Sequence, residues 1–83
     1  MELVLYKFDS CPFCRKVQRF LREYDIDIPL RDVLFDKEAK TDLLRIGGKT
    51  QVPCLIIDGQ PLYESNDIID WFRSNYVKAA LGK

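Results

Sequence analysis

The sequence predicts a single α/β domain, in which a four-stranded mixed sheet carries helices on both of its faces. Two observations lead to this prediction. Strand and helix patterns follow one another in the order β-α-β-α-β-β-α, and a right-handed crossover through a helix makes the first two strands parallel. The dipeptide Asp58-Gly59 separates the last two strand patterns and favours a two-residue hairpin turn, so those strands are antiparallel.

Length and composition limit the class of protein. A chain of 83 residues can bury one hydrophobic core and not two, so residues 1–83 are treated as one domain. With 47% hydrophobic and 31% charged residues, the composition excludes a disordered chain. No apolar run approaches the roughly 18 residues that a membrane-spanning helix needs. Thirteen basic residues balance thirteen acidic ones, which argues against partners such as nucleic acids or membranes.

The first two elements are a strand and an amphipathic helix joined by a short turn. Residues 3–8 form a mostly apolar run that is short enough for a buried strand. Pro12 lies at the expected first position of the helix, where its fixed φ angle is already helical. Four side chains recur at the spacing of one helical face: Val17, Phe20, Leu21 and Tyr24.

The later elements follow from local signals of the same kind. A second strand is expected over residues 30–34, and a helix over 37–46 with Asp36 as its N-cap. The pair Gly47-Gly48 ends this helix. Strands over 52–57 and 60–63 flank the hairpin turn. The last helix is expected to have Ser65 as its cap and to bury one face: Ile68, Ile69, Phe72 and Tyr76.

The cysteines indicate a reducing environment. Their number, three, is odd, and residues 1–7 contain no basic leader followed by a long apolar segment. We therefore expect a cytoplasmic protein with reduced thiols, in which a close cysteine pair is more often catalytic or metal-binding than structural. A structural zinc site needs four ligands, but the chain has no histidine and only Cys54 besides the pair, so no metal is expected.

Cys11-Pro12-Phe13-Cys14 places the cysteine pair where the first strand passes into the first helix. Cys11 is then near the N-cap, where unpaired amide groups and the helix dipole stabilise a thiolate. Cys11 is therefore the expected nucleophile, and Cys14, one helical turn later, is the expected resolving thiol. The nearby basic residues are expected to form mainly a solvated helix face, with steering of anionic partners as a secondary effect: Arg15, Lys16, Arg19 and Arg22.

Three segments together resemble a known family. Cys11-Pro12-Phe13-Cys14 resembles the active-site motif of glutaredoxins, the glutathione-dependent branch of the thioredoxin-like fold. Residues 48–53 (GKTQVP) resemble the segment whose proline is cis in that fold. Residues 62–68 (LYESNDI) resemble the Glu-Ser step of glutathione transferase N-terminal domains and of the two-domain glutaredoxins that share their architecture. The three segments occur in the family's order and cover nearly the whole chain.

The resemblance implies a glutathione site. Val52, before a cis Pro53, would pair through its backbone with the cysteinyl unit of glutathione. Ser65 would offer its hydroxyl and the helix amides to the γ-glutamyl carboxylate, and Glu64 would take the neighbouring ammonium group. Pro53 itself belongs to the implied set of six glutathione-binding positions, and two further residues complete it: Gln51 and Phe13.

The sequence also departs from the family pattern. Many glutaredoxins carry a basic residue three positions before the first cysteine, where this chain has Phe8. Lys7 lies on the opposite face of the strand, so it is a doubtful ligand. The pair Glu64-Ser65 replaces a later Gly-Gly of single-domain members. Cys54 follows Pro53 directly and is expected to be a buried apolar residue.

These expectations describe a glutathione-dependent thiol–disulfide oxidoreductase with a Cys11–Cys14 redox disulfide. Glutathione is the reducing co-substrate, and the other expected partners are disulfide-containing or glutathionylated proteins. The protein is expected to be a monomer. Two alternatives remain open: a redoxin reduced by a flavoprotein reductase, and a carrier of an iron–sulfur cluster. Cluster carriers in the family favour Gly after the first cysteine and Ser at the second, which here are Pro12 and Cys14.

Overall fold

The computed structural model describes residues 1–77. The order of helices and strands within this part of the chain is the predicted one, and a π-helical turn, Arg73–Val77, follows the last α-helix. None of the helices among these residues is long and apolar enough to cross a membrane. The elements are β1 (Leu3–Lys7), α1 (Pro12–Glu23), β2 (Leu30–Asp32), α2 (Lys37–Gly47), β3 (Cys54–Ile57), β4 (Gln60–Tyr63) and α3 (Ser65–Phe72).

The four strands form one mixed sheet in the order β2-β1-β3-β4. β1 is parallel to β2, and β3 is antiparallel to both of its neighbours, β1 and β4. Asp58 and Gly59 both have positive φ angles, 48° and 86°, as the expected hairpin turn requires. Because β1, β2 and β4 run in the same direction, the three helices that follow them all begin at the same edge of the sheet. β3 starts at that edge as well.

Helices cover both faces of the sheet, which confirms the predicted fold class. α1 and α3 pack against one face, where Leu5 of β1 and Leu55 of β3 are fully buried. α2 covers the other face through Ala39 and Leu43, which pack against Tyr6. Alternate residues of the central strands therefore point into two different apolar clusters, as the period of a β-strand dictates.

The local signals for α2 are confirmed in detail. The carboxylate of Asp36 accepts hydrogen bonds from the amides of Glu38 and Ala39, at 3.0 and 3.3 Å. At the other end, Gly48 takes the left-handed conformation with a φ of 78°, and its amide donates to the carbonyl of Leu44. α2 is thus closed at both ends by groups that belong to the chain itself.

Three strands are shorter than expected. β2 ends at Asp32 because the Asp32 carboxylate accepts hydrogen bonds from the amides of Leu34 and Phe35, at 2.8 and 3.1 Å, and turns the chain away from the sheet. β3 begins at Cys54 and not at residue 52, because Pro53 has no amide hydrogen to donate and the pairing with β1 starts at Tyr6 and Cys54. β1 ends one residue early, at Lys7.

The end of the last helix differs from the expectation. Ile68, Ile69 and Phe72 are buried as predicted, but Tyr76 is 40% exposed. Beyond Phe72 the helix widens into a π-helical turn, and a wider turn moves the next inward position from 76 to 77. Val77 is accordingly buried in the place that the helical period assigned to Tyr76.

Candidate functional site

The loop between β1 and α1 presents Cys11 at the start of the helix. Cys11 has an extended backbone, with φ −81° and ψ 120°, and Pro12 is the first helical residue, as predicted. Proline has no amide hydrogen, so the first amides that a cap would satisfy belong to Phe13 and Cys14. Within residues 1–77, the Cys11 side chain makes no cap hydrogen bond to them. The N-terminus of α1 is therefore open beside a sulfur atom.

The two thiols of the pair lie in different surroundings. The side chain of Cys14 is fully buried, and burial raises its pKa to about 12. Contact with Cys11 contributes to this raised pKa, whereas the amide of Phe8 and the charge of Lys7 act in the opposite direction. Cys11 keeps 9% of its surface exposed. Both thiols, like that of Cys54, are free of disulfide bonds within the described chain.

The segment before β3 lies at the same edge of the sheet. The cis bond between Val52 and Pro53 is the one that the sequence resemblance implied. Pro53 is buried, whereas Gln51 is exposed. Since β3 begins only at Cys54, the backbone of Val52 lies outside the strand ladder and is available to a partner.

The start of α3 differs by one residue from the sequence expectation. Ser65 was expected to be the N-cap, but it is the first helical residue, and Glu64 occupies the cap position. Glu64 has a φ of 75°, which is unusual for a residue with a side chain and is typical of functional sites. Its carboxylate makes no cap hydrogen bond to the described chain. It accepts a hydrogen bond instead from the side-chain amide of Gln51, at 3.0 Å. The N-terminus of α3 is open as well.

A cleft of about 370 Å³ lies between these segments. It brings together all six residues for which the resemblance implies glutathione binding, and adds Asn66, which the sequence analysis missed. Asn66 follows Ser65 directly, so its place in the first turn of α3 was the signal that could have identified it. Among the described residues, neither cysteine lines the cleft. Its lining consists of Phe13, Gln51, Val52, Pro53, Glu64, Ser65 and Asn66.

Lys7 is engaged elsewhere, in agreement with its doubtful status as a ligand. Its side chain is only 12% exposed, and its ammonium group lies 2.9 Å from Asp9 and 3.5 Å from Asp32. The hydrogen bond to Asp9 raises the pKa of Lys7. The described lining of the cleft contains no lysine or arginine. Lys7 therefore does not supply the positive charge that many glutaredoxins carry at the position of Phe8.

Cys54 is fully buried on the α2 face of the sheet, as the sequence predicted. Burial raises the pKa of its thiol, while a hydrogen bond with Tyr63 acts in the opposite direction. The Tyr63 ring is held from the outside by the ammonium group of Lys49, 4.3 Å from the ring centre. Cys54 therefore belongs to the apolar cluster under α2 and does not line the cleft.

Comparison with known proteins places these features in a family. Residues 5–80 match the family model of the glutathione S-transferase N-terminal domain. The chain is 31% identical over 85 residues to Glutaredoxin-C4 from Arabidopsis thaliana; the match covers 98% of this chain and 62% of that protein. The chain thus spans less than two thirds of the length of this relative.

Solved structures show the same fold. A mutant of the thioredoxin-like protein BC3987 is 27% identical with a TM-score of 0.68, and the match covers 76% of this chain and 85% of that one. Glutathione S-transferase isozyme E7 from Drosophila melanogaster is 26% identical with a TM-score of 0.73; the match covers 93% of this chain and 36% of the transferase. The fold is thioredoxin-like, and the chain belongs to the glutathione S-transferase N-terminal domain family.

Proposed function

We propose that this protein is a glutathione-dependent thiol–disulfide oxidoreductase that reduces glutathione mixed disulfides and protein disulfides through Cys11. The observation that carries the proposal is the cleft between α1 and α3. It collects the open start of α3, the free backbone of Val52 and the Phe13 side chain beside the cysteine pair. The similarity to a glutaredoxin over nearly the whole chain supports the same reading.

Glutathione is a peptide with two carboxylates and one ammonium group, and the cleft offers partners for its γ-glutamyl end. The amides at the start of α3 and the Ser65 hydroxyl suit the carboxylate, because a helix N-terminus binds anions. The Glu64 carboxylate suits the ammonium group. Gln51 donates to that same carboxylate in the free protein, so it keeps Glu64 oriented until the ligand arrives. The cysteinyl unit would pair with Val52.

The reaction on a glutathione mixed disulfide needs one protein thiol. The Cys11 thiolate attacks the glutathione sulfur, the disulfide bond breaks, and the substrate leaves as a thiolate that takes a proton from water. A second glutathione, as thiolate, then attacks the glutathione sulfur held on Cys11. Oxidised glutathione leaves, and the Cys11 thiolate is restored. The net reaction consumes one free glutathione, and the oxidised glutathione that leaves joins it to the glutathionyl group taken from the substrate.

The reaction on a protein disulfide uses the second cysteine. Attack by Cys11 gives a mixed disulfide with the substrate, and Cys14 then attacks the Cys11 sulfur. This step releases the substrate dithiol and leaves a Cys11–Cys14 disulfide, which two glutathione molecules reduce. Since burial keeps Cys14 protonated at neutral pH, Cys14 must lose its proton as it attacks. The route through glutathione alone avoids this cost.

Three free thiols suit a reducing compartment such as the cytoplasm.

The test compares two reducing systems and two matched variants. Turnover of a glutathione mixed disulfide is measured with glutathione plus glutathione reductase, and separately with thioredoxin reductase. We expect activity in the first mixture; activity only in the second would contradict the proposal and identify a redoxin fed by a flavoprotein. Cys14→Ser should keep this turnover and lose reduction of protein disulfides. If Cys14→Ser were as inactive as Cys11→Ser, the one-thiol route would be wrong.

A further inference from the structure

The arginines of the protein fall into two groups of three. Three of them, on β2, on α2 and beyond α3, each lie within 4.0 Å of an aspartate: Arg31, Arg45 and Arg73. The other three, all on α1, have no ion-pair partner among residues 1–77: Arg15, Arg19 and Arg22. In a chain with equal numbers of acidic and basic residues, this separation leaves a surplus of positive charge on one helix.

The three arginines of α1 share one groove. It measures about 390 Å³ and is lined by them together with Asp9 and Gln18. Asp9 does not neutralise them, because its carboxylate is bound by the ammonium group of Lys7 at 2.9 Å. We refer to these five residues as the α1 groove.

The α1 groove begins in the segment of chain that carries the reacting sulfur. Asp9 belongs to the loop that carries Cys11, and the amide of Arg15 donates to the Cys11 carbonyl at 3.0 Å. Among the described residues, the groove shares none with the cleft between α1 and α3. Glutathione in the cleft would therefore leave the groove open to the other partner of a disulfide.

We propose that the α1 groove binds an acidic segment of the protein substrate, adjacent to the substrate cysteine whose disulfide bond the protein reduces. The inference deepens the proposed function and rests on it. A guanidinium group offers a planar pair of donors that matches a carboxylate, and three such groups favour acidic side chains over neutral ones.

The spacing of the arginines suits an extended peptide. Positions 15, 19 and 22 lie within eight residues of helix, a rise of about 10 Å. An extended chain covers that distance in about three residues, so two carboxylates at alternate positions, about 7 Å apart, point to the same side and fit within the length of the groove. The expected substrate carries at least two acidic residues at alternate positions close to its disulfide.

The test uses two synthetic peptides, each with one cysteine joined to glutathione as a mixed disulfide. One peptide carries Glu at three alternate positions beside the cysteine, and the other carries Gln there. We expect kcat/KM, measured with glutathione and glutathione reductase, to be about tenfold higher for the acidic peptide at low ionic strength. At about 1 M salt, where the screening length is about 3 Å, the two values should converge.

Matched double variants test whether the preference for the acidic peptide comes from the α1 groove. Arg19→Gln with Arg22→Gln should reduce it to less than about twofold and leave turnover of the neutral peptide unchanged. Lys40→Gln with Arg45→Gln makes the same change in net charge on α2, where both residues are exposed, and should keep the preference. Loss of the preference in the α2 control, or its survival in the α1 variant, would overturn the inference.

Two further results separate the possible failures. Inhibition of the reaction by a single-stranded oligonucleotide as strong as that by the free acidic peptide would mean a general polyanion surface, and would overturn the assignment to an acidic protein segment. Equal turnover of the two peptides by the unaltered protein would contradict this inference alone. Turnover of neither peptide would contradict the proposed function, and the inference with it.

Discussion

All three α-helices begin at one edge of the sheet, but their N-termini are not alike. α2 is closed by Asp36, whose carboxylate accepts hydrogen bonds from two amides. α1 and α3 begin at Cys11 and Glu64, neither of which makes a side-chain cap bond within the described residues. The two open helices contribute to one cleft, and the closed helix does not. Capping is absent where the proposed chemistry needs free amides, and present where only stability is required.

The largest expected effect concerns the open end of α1. Cys11→Ser and Cys11→Ala should each reduce turnover by more than about 1,000-fold, because both remove the nucleophile. The serine variant should nevertheless be more stable to urea than the alanine variant by about 1 kcal/mol, because its hydroxyl can accept from the amides that Cys11 leaves open. Equal stability of the two variants would mean that the N-terminus of α1 is already satisfied.

The open end of α3 predicts a smaller effect, on binding. Glu64→Gln should raise the KM for glutathione about tenfold, with kcat little changed, since it removes the charge that faces the ammonium group. Asp67→Asn, an exposed acidic residue in the first turn of the same helix, is the control and should change KM by less than about twofold. Similar KM values for the two variants would remove Glu64 from the site.

For the capped end of α2 we expect a loss of stability without a loss of activity. Asp36→Ala should lower the free energy of unfolding by about 1 kcal/mol, because the amides of Glu38 and Ala39 lose their acceptor. The variant should keep its kcat/KM, measured at a temperature where it is fully folded. A loss of activity larger than about threefold in folded Asp36→Ala would show that α2 contributes to the site, and the contrast between the helices would fail.

The smallest expected effect is a change of stability with pH. Burial raises the pKa values of Cys14 and Cys54 above the value of 9.0 for an ordinary thiol. Above pH 9 the unfolded chain therefore releases thiol protons that the folded chain retains, so stability is complete below that pH and falls as pH rises beyond it. Urea midpoints of the reduced protein should decline as the pH rises above about 9. Cys54→Ala should decline less steeply; an identical slope would contradict the role of Cys54 in this loss.

The parts of the fold that depend on neighbouring residues could be predicted from the sequence. Asp36, Gly48 and the turn at Asp58 act through their own backbone or through amides two or three positions away. The exchange of Tyr76 for Val77 could not be predicted, because it depends on a widened helical turn that the apolar period does not encode. The shift of the α3 cap from Ser65 to Glu64 could not be predicted either, because it depends on the unusual φ angle of Glu64.

The candidate site could be predicted from the sequence only in part, and its two parts were predicted on different grounds. The position of Cys11 at a helix start follows from local pattern alone. The grouping of the six glutathione-binding positions requires β3 to lie between β1 and β4, and periodicity does not fix the order of strands. That grouping came from the family resemblance, and the structure brings these residues into one cleft. The link between Gln51 and Glu64 is a contact between side chains and could be found only in the structure.

The most direct test of the account is the order in which the three cysteines react. The folded, reduced protein is treated with a limiting amount of iodoacetamide at neutral pH, and the modified residue is identified by peptide mass spectrometry. The open N-terminus of α1 predicts that Cys11 reacts at least about tenfold faster than Cys14 or Cys54, both of which are fully buried. Reaction of either buried thiol as fast as Cys11 would contradict the central claim that α1 holds the reacting sulfur.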